Sequence, residues 1–161
     1  MRDHPAVFLG VALAMAFNHA ICCADGITNS NGQSDVTTQQ MDTMKIRLTV
    51  NGKAMTATLI DSGTTQDFIS LLPLTLTMND LFAREKFVHL PRAISTEGKR
   101  THAYEVGDVA YWAPGPDVAV FYHHDGQKIP APGVIVIGKI DSGVEKLDVP
   151  GSVRVTFERL E

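Results

Sequence analysis

The sequence predicts an all-β domain, a barrel or sandwich of short strands with two short helices. Three observations predict it. From Met44 onward, short stretches of alternating apolar and polar residues recur, each bounded by Gly, Pro, Asn or Asp. The pair Asn51-Gly52 separates the first two stretches, and both residue types tolerate the positive φ of a type I′ hairpin turn. Over residues 107–126 large side chains alternate with small ones, the pattern that fills the tapered interior of a closed barrel.

In chain order, MKIRLTV sets Ile46, Leu48 and Val50 against Lys45, Arg47 and Thr49, a half-buried strand. KAMTATLI returns from the hairpin with Met55, Ala57 and Leu59 on one face and Thr56 and Thr58 on the other. SGTTQDFISLLP then offers capping residues, an apolar-periodic run at Phe68, Ile69, Leu71 and Leu72, and the terminator Pro73, which together predict one short helix. Further strands are predicted over 74–79, 86–90, 101–106, 108–112, 118–122, 134–140 and 152–160. A second helical turn is predicted over Ser142 to Leu147, with Ser142 as its cap and Pro150 beyond it.

The start of the chain has another texture. Arg2 is followed by an uncharged run from Pro5 to Phe17 and then by small residues, the layout of a secretory signal. The run is too short to span a membrane, which needs about 20 residues. Cleavage is expected after Ala24, with residues 25–43 as a polar, flexible spacer and 44–161 as the folded domain. Ile21 before Cys22, and Cys22 before Cys23, lack the Gly, Ala or Ser that lipid attachment favours at that place. Cleavage removes both cysteines, so the mature domain carries no disulfide and no thiolate site. The expected location is the periplasm or the exterior, with no membrane contact after cleavage.

The net charge of −4, with 14 Lys and Arg against 18 Asp and Glu, and the lack of a basic cluster argue against nucleic acid as a partner. No P-loop, no G-x-G-x-x-G and no G-x-S-x-G occur, so nucleotide cofactors and serine-hydrolase chemistry find no support and no cofactor is expected.

Asp-Ser-Gly occurs twice, at Asp61 and Asp141. LIDSGTTQ looks like the active-site loop of retroviral-type aspartic proteases, where two carboxylates share a proton and activate water. Asp and Ser also cap helices and Gly supplies a bend, so both tripeptides read equally as turns entering helices. His123-His124 suggests metal, but adjacent residues of an extended chain point to opposite sides and zinc needs three or four convergent ligands. No metal site is expected. Within GDVAYWAPGPDVAVFYHHDG, Val109 and Tyr111 share a face opposite Ala110 and Trp112, and Val118, Val120 and Tyr122 oppose Ala119 and Phe121. Trp112, Phe121, Tyr122 and His123 are the candidates for a partly aromatic ligand mouth.

The blocks LLPLTLT, LPR followed by ST, GDVAYWAPGPDVAVFY and GKIDSGVEKL, taken in order, resemble the cyclophilin-like domain family of small bacterial proteins. The resemblance implies a closed β-barrel of cyclophilin type with short helices at its ends, and it places both DSG tripeptides at turns into helices. Cyclophilins isomerise X-Pro bonds with an arginine beside an aromatic proline pocket. Arg92 in LPRAIS is the residue this likeness offers for that role, although the phenylalanine and glutamine that follow the family's arginine are absent here. The expectation is an exported domain, monomeric or weakly dimeric, that binds a peptide segment or small molecule. The alternatives are a weak prolyl isomerase using Arg92 and an aspartic protease using Asp61.

Overall fold

The computed structural model describes residues 43–160. The expected signal segment 1–24, and the spacer 25–43 except its last residue, lie outside them. Nine strands occur in the order β1 Lys45–Val50, β2 Lys53–Leu59, β3 Leu74–Leu81, β4 Glu85–His89, β5 Arg100–Thr101, β6 Asp108–Trp112, β7 Asp117–Phe121, β8 Val134–Ile140 and β9 Val153–Arg159. The helix α1, Gly63–Ile69, follows β2, and a 3-10 turn, Val144–Leu147, precedes β9.

Eight strands close on themselves in the order β2-β1-β9-β3-β4-β7-β6-β8, with β8 returning to β2. The pairings are antiparallel, and β5 adds two residues beside β8 at Val134 and Ile135. The domain is therefore an all-β closed barrel. Alternation dictates its lining: Ile46, Leu48 and Val50 of β1, Met55, Ala57 and Leu59 of β2, and Val153, Val155 and Phe157 of β9 all turn inward. Asn51 at φ 49° and Gly52 at φ 75° make the turn that their sequence predicts.

Closure depends on Gly138. It pairs with Leu59 of β2 on one side and Val109 of β6 on the other. A Cβ there would stand 2.8 Å from the Thr58 carbonyl oxygen, so only glycine lets the seam strands approach this closely. The register to β6 shifts at the same place, which leaves Ile137 as an extra residue and lets Ile135, Ile137 and Ile140 all face the core.

The α1 helix begins at Ser62, whose Oγ accepts from the Thr65 amide at 3.2 Å. Phe68 seals the interior, its ring edge-on to Phe157 at 5.9 Å between centroids. Burial of that one side chain contributes about 2–3 kcal/mol. Two expectations differ from the structure. Ser142 makes no cap; Gly143, at φ 85°, precedes the 3-10 turn without a side-chain bond. The strand predicted over 101–106 ends at Thr101, because Tyr104 leaves the sheet to lie against Phe121.

Candidate functional site

The outer face of β4, β7, β6 and β8 is apolar where an exposed barrel wall would be polar. Phe87, Ala110, Trp112, Ala119, Phe121, Val134 and Val136 form a second cluster there, separate from the interior. Residues 122–133 fold back across part of it and bury Ile129 against the wall. The register explains the relief. Ala119 sits between Phe87 of β4 and Ala110 of β6, while Phe121 lies one pleat further along. Small side chains at the middle of a wall of large ones leave a groove of about 260 Å³, lined by Phe87, Trp112, Ala119, Phe121, Ile129 and Pro130 among others.

One end of the groove is charged. Arg84 and Glu85 line it and both are buried, at 6 % exposure each. Arg84 donates from Nε to Glu85 Oε2 at 2.9 Å, approaches the same oxygen with Nη2 at 2.9 Å, and reaches Asp125 with Nη1 at 3.4 Å. Its guanidinium lies 5.3–5.7 Å from the ring centroids of Phe82, Tyr104 and Phe121. Burial raises the Glu85 carboxyl above its ordinary pKa, with Arg84 opposing and the carboxylates of Asp125 and Asp80 adding to the rise. The Tyr104 hydroxyl donates to Asp125 at 2.6 Å, and that bond, with the Gln127 amide, holds the Asp125 carboxyl low.

The structure brings two of the sequence-derived candidates together and separates the others. Trp112 and Phe121 line the groove. Tyr122 turns to the interior and donates its hydroxyl to Asp80 Oδ2 at 2.6 Å. His123 is exposed, and His124 stacks on Tyr104 at 4.7 Å. Arg92 is absent from the groove lining; it donates to Asp67 Oδ1 at 3.2 Å, Ser70 Oγ at 2.9 Å and the Ala93 carbonyl at 3.1 Å.

Asp61 is exposed and accepts from Gln66 Nε2 at 3.3 Å. Asp141 lies beside Thr56, five residues from Asp61 along β2 and beyond, and accepts from Lys45, Thr56 and Thr58. Within one chain that register separates the two DSG turns by roughly 16 Å, too far to share a proton. Among the described residues no three His, Asp or Glu side chains converge as a metal site would require.

Sequence reasoning missed Arg84, Glu85, Phe87 and Tyr104. Parity carried a signal for two of them: Glu85 and Phe87 alternate with Lys86 and Val88, so they share the face opposite the core. Burial of three consecutive charged residues has no such signature.

These observations define a class: an eight-stranded antiparallel barrel whose candidate site is an aromatic groove on its outer wall. The cyclophilin-like family matches residues 48–158, and the chain belongs to that family. Among solved structures it is similar to a hypothetical protein of Archaeoglobus fulgidus determined in solution, with 28% identity and a TM-score of 0.60 over 73% of this chain and 95% of that one. No curated protein matches the sequence.

Proposed function

We propose that the domain is a binding module that takes a peptide segment or small ligand in the outer-wall groove, acting after export in the periplasm or outside the cell as a monomer or weak dimer. The observation that carries the reading is the groove itself: an apolar hollow floored by Ala119 and walled by Phe87, Trp112 and Phe121 on a wall that water would otherwise cover. Export is supported by the residue pattern before Ala24. Arg92 lends the isomerase alternative no support, because its guanidinium is engaged with Asp67 and Ser70. Asp61 likewise does no more than accept from Gln66 within the chain.

Trp112, the only tryptophan of the sequence, sits in the groove and makes a direct reporter. Titration with short apolar peptides should shift its fluorescence saturably, and Ala119→Leu, which fills the floor, should abolish the response while the melting temperature holds. If a broad peptide and metabolite screen changes neither the fluorescence nor the melting temperature of the wild type, the binding reading is wrong.

A further inference from the structure

The groove ends on a carboxyl group that the fold leaves half used. Both close contacts of Arg84 with Glu85 fall on Oε2, and Oε1 accepts no hydrogen bond among the described residues. A carboxylate is an acceptor at both oxygens, and Oε1, which is not among the fully buried atoms without a partner, keeps an open face for a donor. Glu85 therefore stands in the lining as an acid short of counter-charge, in keeping with its raised pKa.

The surrounding charges point the same way. Arg84 meets two carboxylates, those of Glu85 and Asp125, and a third, that of Asp117, lines the far end of the groove. His89 meets Asp117 at 3.0 Å, and Lys128 stands exposed beside Ile129 on the covering segment. An anionic ligand would have to displace Glu85 or Asp125 from Arg84. A cationic one finds an open oxygen and, beside it, the exposed ring of Phe82.

The length of the groove selects the kind of ligand. Glu85 pairs with Phe121 at one end and His89 with Asp117 at the other, four residues apart along the strands. That is about 13 Å, the span of about four extended residues. Beyond the charged end the Phe82 ring is 75 % exposed, so apolar surface continues past the hollow. A compact amine would cover one end only.

Resting on the reading of the groove as a ligand site, we propose that Glu85 is its specificity-determining residue, and that the groove takes an extended peptide segment in which a lysine or arginine follows or precedes apolar residues, the cation pairing with Glu85 Oε1.

The test uses the protein chain and blocked tetrapeptides of Phe, Leu and Ala that carry Lys, norleucine or Glu at one end or the other, titrated against Trp112 fluorescence. The Lys peptide should bind about tenfold tighter than its norleucine counterpart, and the Glu peptide weakest. Glu85→Gln should erase the preference for Lys, bringing the Lys and norleucine peptides to the same affinity. Equal affinity for Lys and norleucine in the wild type overturns the proposal and leaves the groove reading intact; failure of every peptide to bind overturns both. Should Glu85→Gln not fold, salt decides: raising it from about 0.05 M to about 0.5 M must shrink the Lys preference, and a preference that salt leaves untouched refutes the pairing. Phenethylamine binding as tightly as the Lys peptide would overturn the choice of a peptide.

Discussion

Phe121 and Tyr122 are adjacent in sequence and lie on opposite sides of the barrel wall. The Phe121 ring stacks on Tyr104 at 4.3 Å and walls the outer groove, while the Tyr122 hydroxyl reaches inward to Asp80 at 2.6 Å. A strand's side chains alternate, so two neighbouring aromatics cannot serve one pocket. Phe121→Leu should therefore weaken groove ligands and quench the ligand response of Trp112. Tyr122→Phe should leave that response unchanged and lower stability by about 1–2 kcal/mol, since Asp80 loses a donor. Fluorescence titration and chemical denaturation of both variants separate the two effects.

Lys86 is fully buried inside the barrel and places its ammonium 2.6 Å from Asp80 Oδ2, 2.6 Å from the Val149 carbonyl and 2.7 Å from that of Gly151. All three of its protons have acceptors, and they tie the segment after the 3-10 turn to β4. Lys86→Met strands Asp80 and two carbonyls, and should cost about 3 kcal/mol in urea unfolding with the m-value unchanged.

Phe82 holds φ at 59° and Ala83 at 51°, a left-handed pair that Asn and Gly would adopt at lower cost. Its ring is exposed and lies 5.5 Å from the Arg84 guanidinium. Backbone strain of this kind persists where the side chain has another use. Phe82→Asn should raise stability by about 0.5–1 kcal/mol and weaken binding of peptides that reach past the charged end. Thermal melting and titration of the same variant check both halves.

Asp141 couples stability to pH. Burial alone would raise its carboxyl, but hydrogen bonds from Thr58, Lys45 and Thr56 outweigh that and hold it at about 2, against an ordinary value of 3.8. A depressed pKa contributes stability that is present above about pH 4 and is lost as pH falls towards 2. Partial solvent access limits the contribution to about 1 kcal/mol. Glu85 acts in the opposite sense: its raised pKa favours the fold in acid, and that contribution disappears as pH rises through the folded value. Denaturation of Asp141→Asn should show a flatter loss of stability between pH 4 and pH 2 than the wild type.

Arg92 joins the segment after β4 to α1 through Asp67 and Ser70, with about half its side chain exposed. Arg92→Ala should cost less than about 1 kcal/mol and leave ligand affinity at the groove unchanged. A large loss of X-Pro exchange activity in that variant would instead give the residue a catalytic role.

Much of the barrel was legible because alternation is a local property. Ile46, Leu48 and Val50, or Val118 and Val120, announce an inward face without reference to any partner strand. The Asn51-Gly52 turn and the Ser62 cap are local in the same way. Tyr104 shows where that reading stops. Its segment alternates like a strand, yet a stacked ring on Phe121 and a hydroxyl bond to Asp125, 21 residues away, draw it out of the sheet. Ser142 has the composition of a cap, but the left-handed backbone at Gly143 leaves its hydroxyl no role there.

The candidate site divides along the same line. The sequence by itself determined that Ala110 and Trp112 stand opposite Val109 and Tyr111, and Ala119 and Phe121 opposite Val118, Val120 and Tyr122, because parity follows from covalent geometry. Only the tertiary structure decided that the side of Ala110, Trp112, Ala119 and Phe121 is the outer one, and that it is a groove rather than a wet surface. That outcome needed β4 and β6 to flank β7, residues 122–133 to fold across the wall, and Asp125 to reach Arg84, beside Glu85, from 41 residues along the chain. Side-chain parity is written within a few residues, whereas a cavity and its electrostatics depend on neighbours that only closure of the sheet brings together.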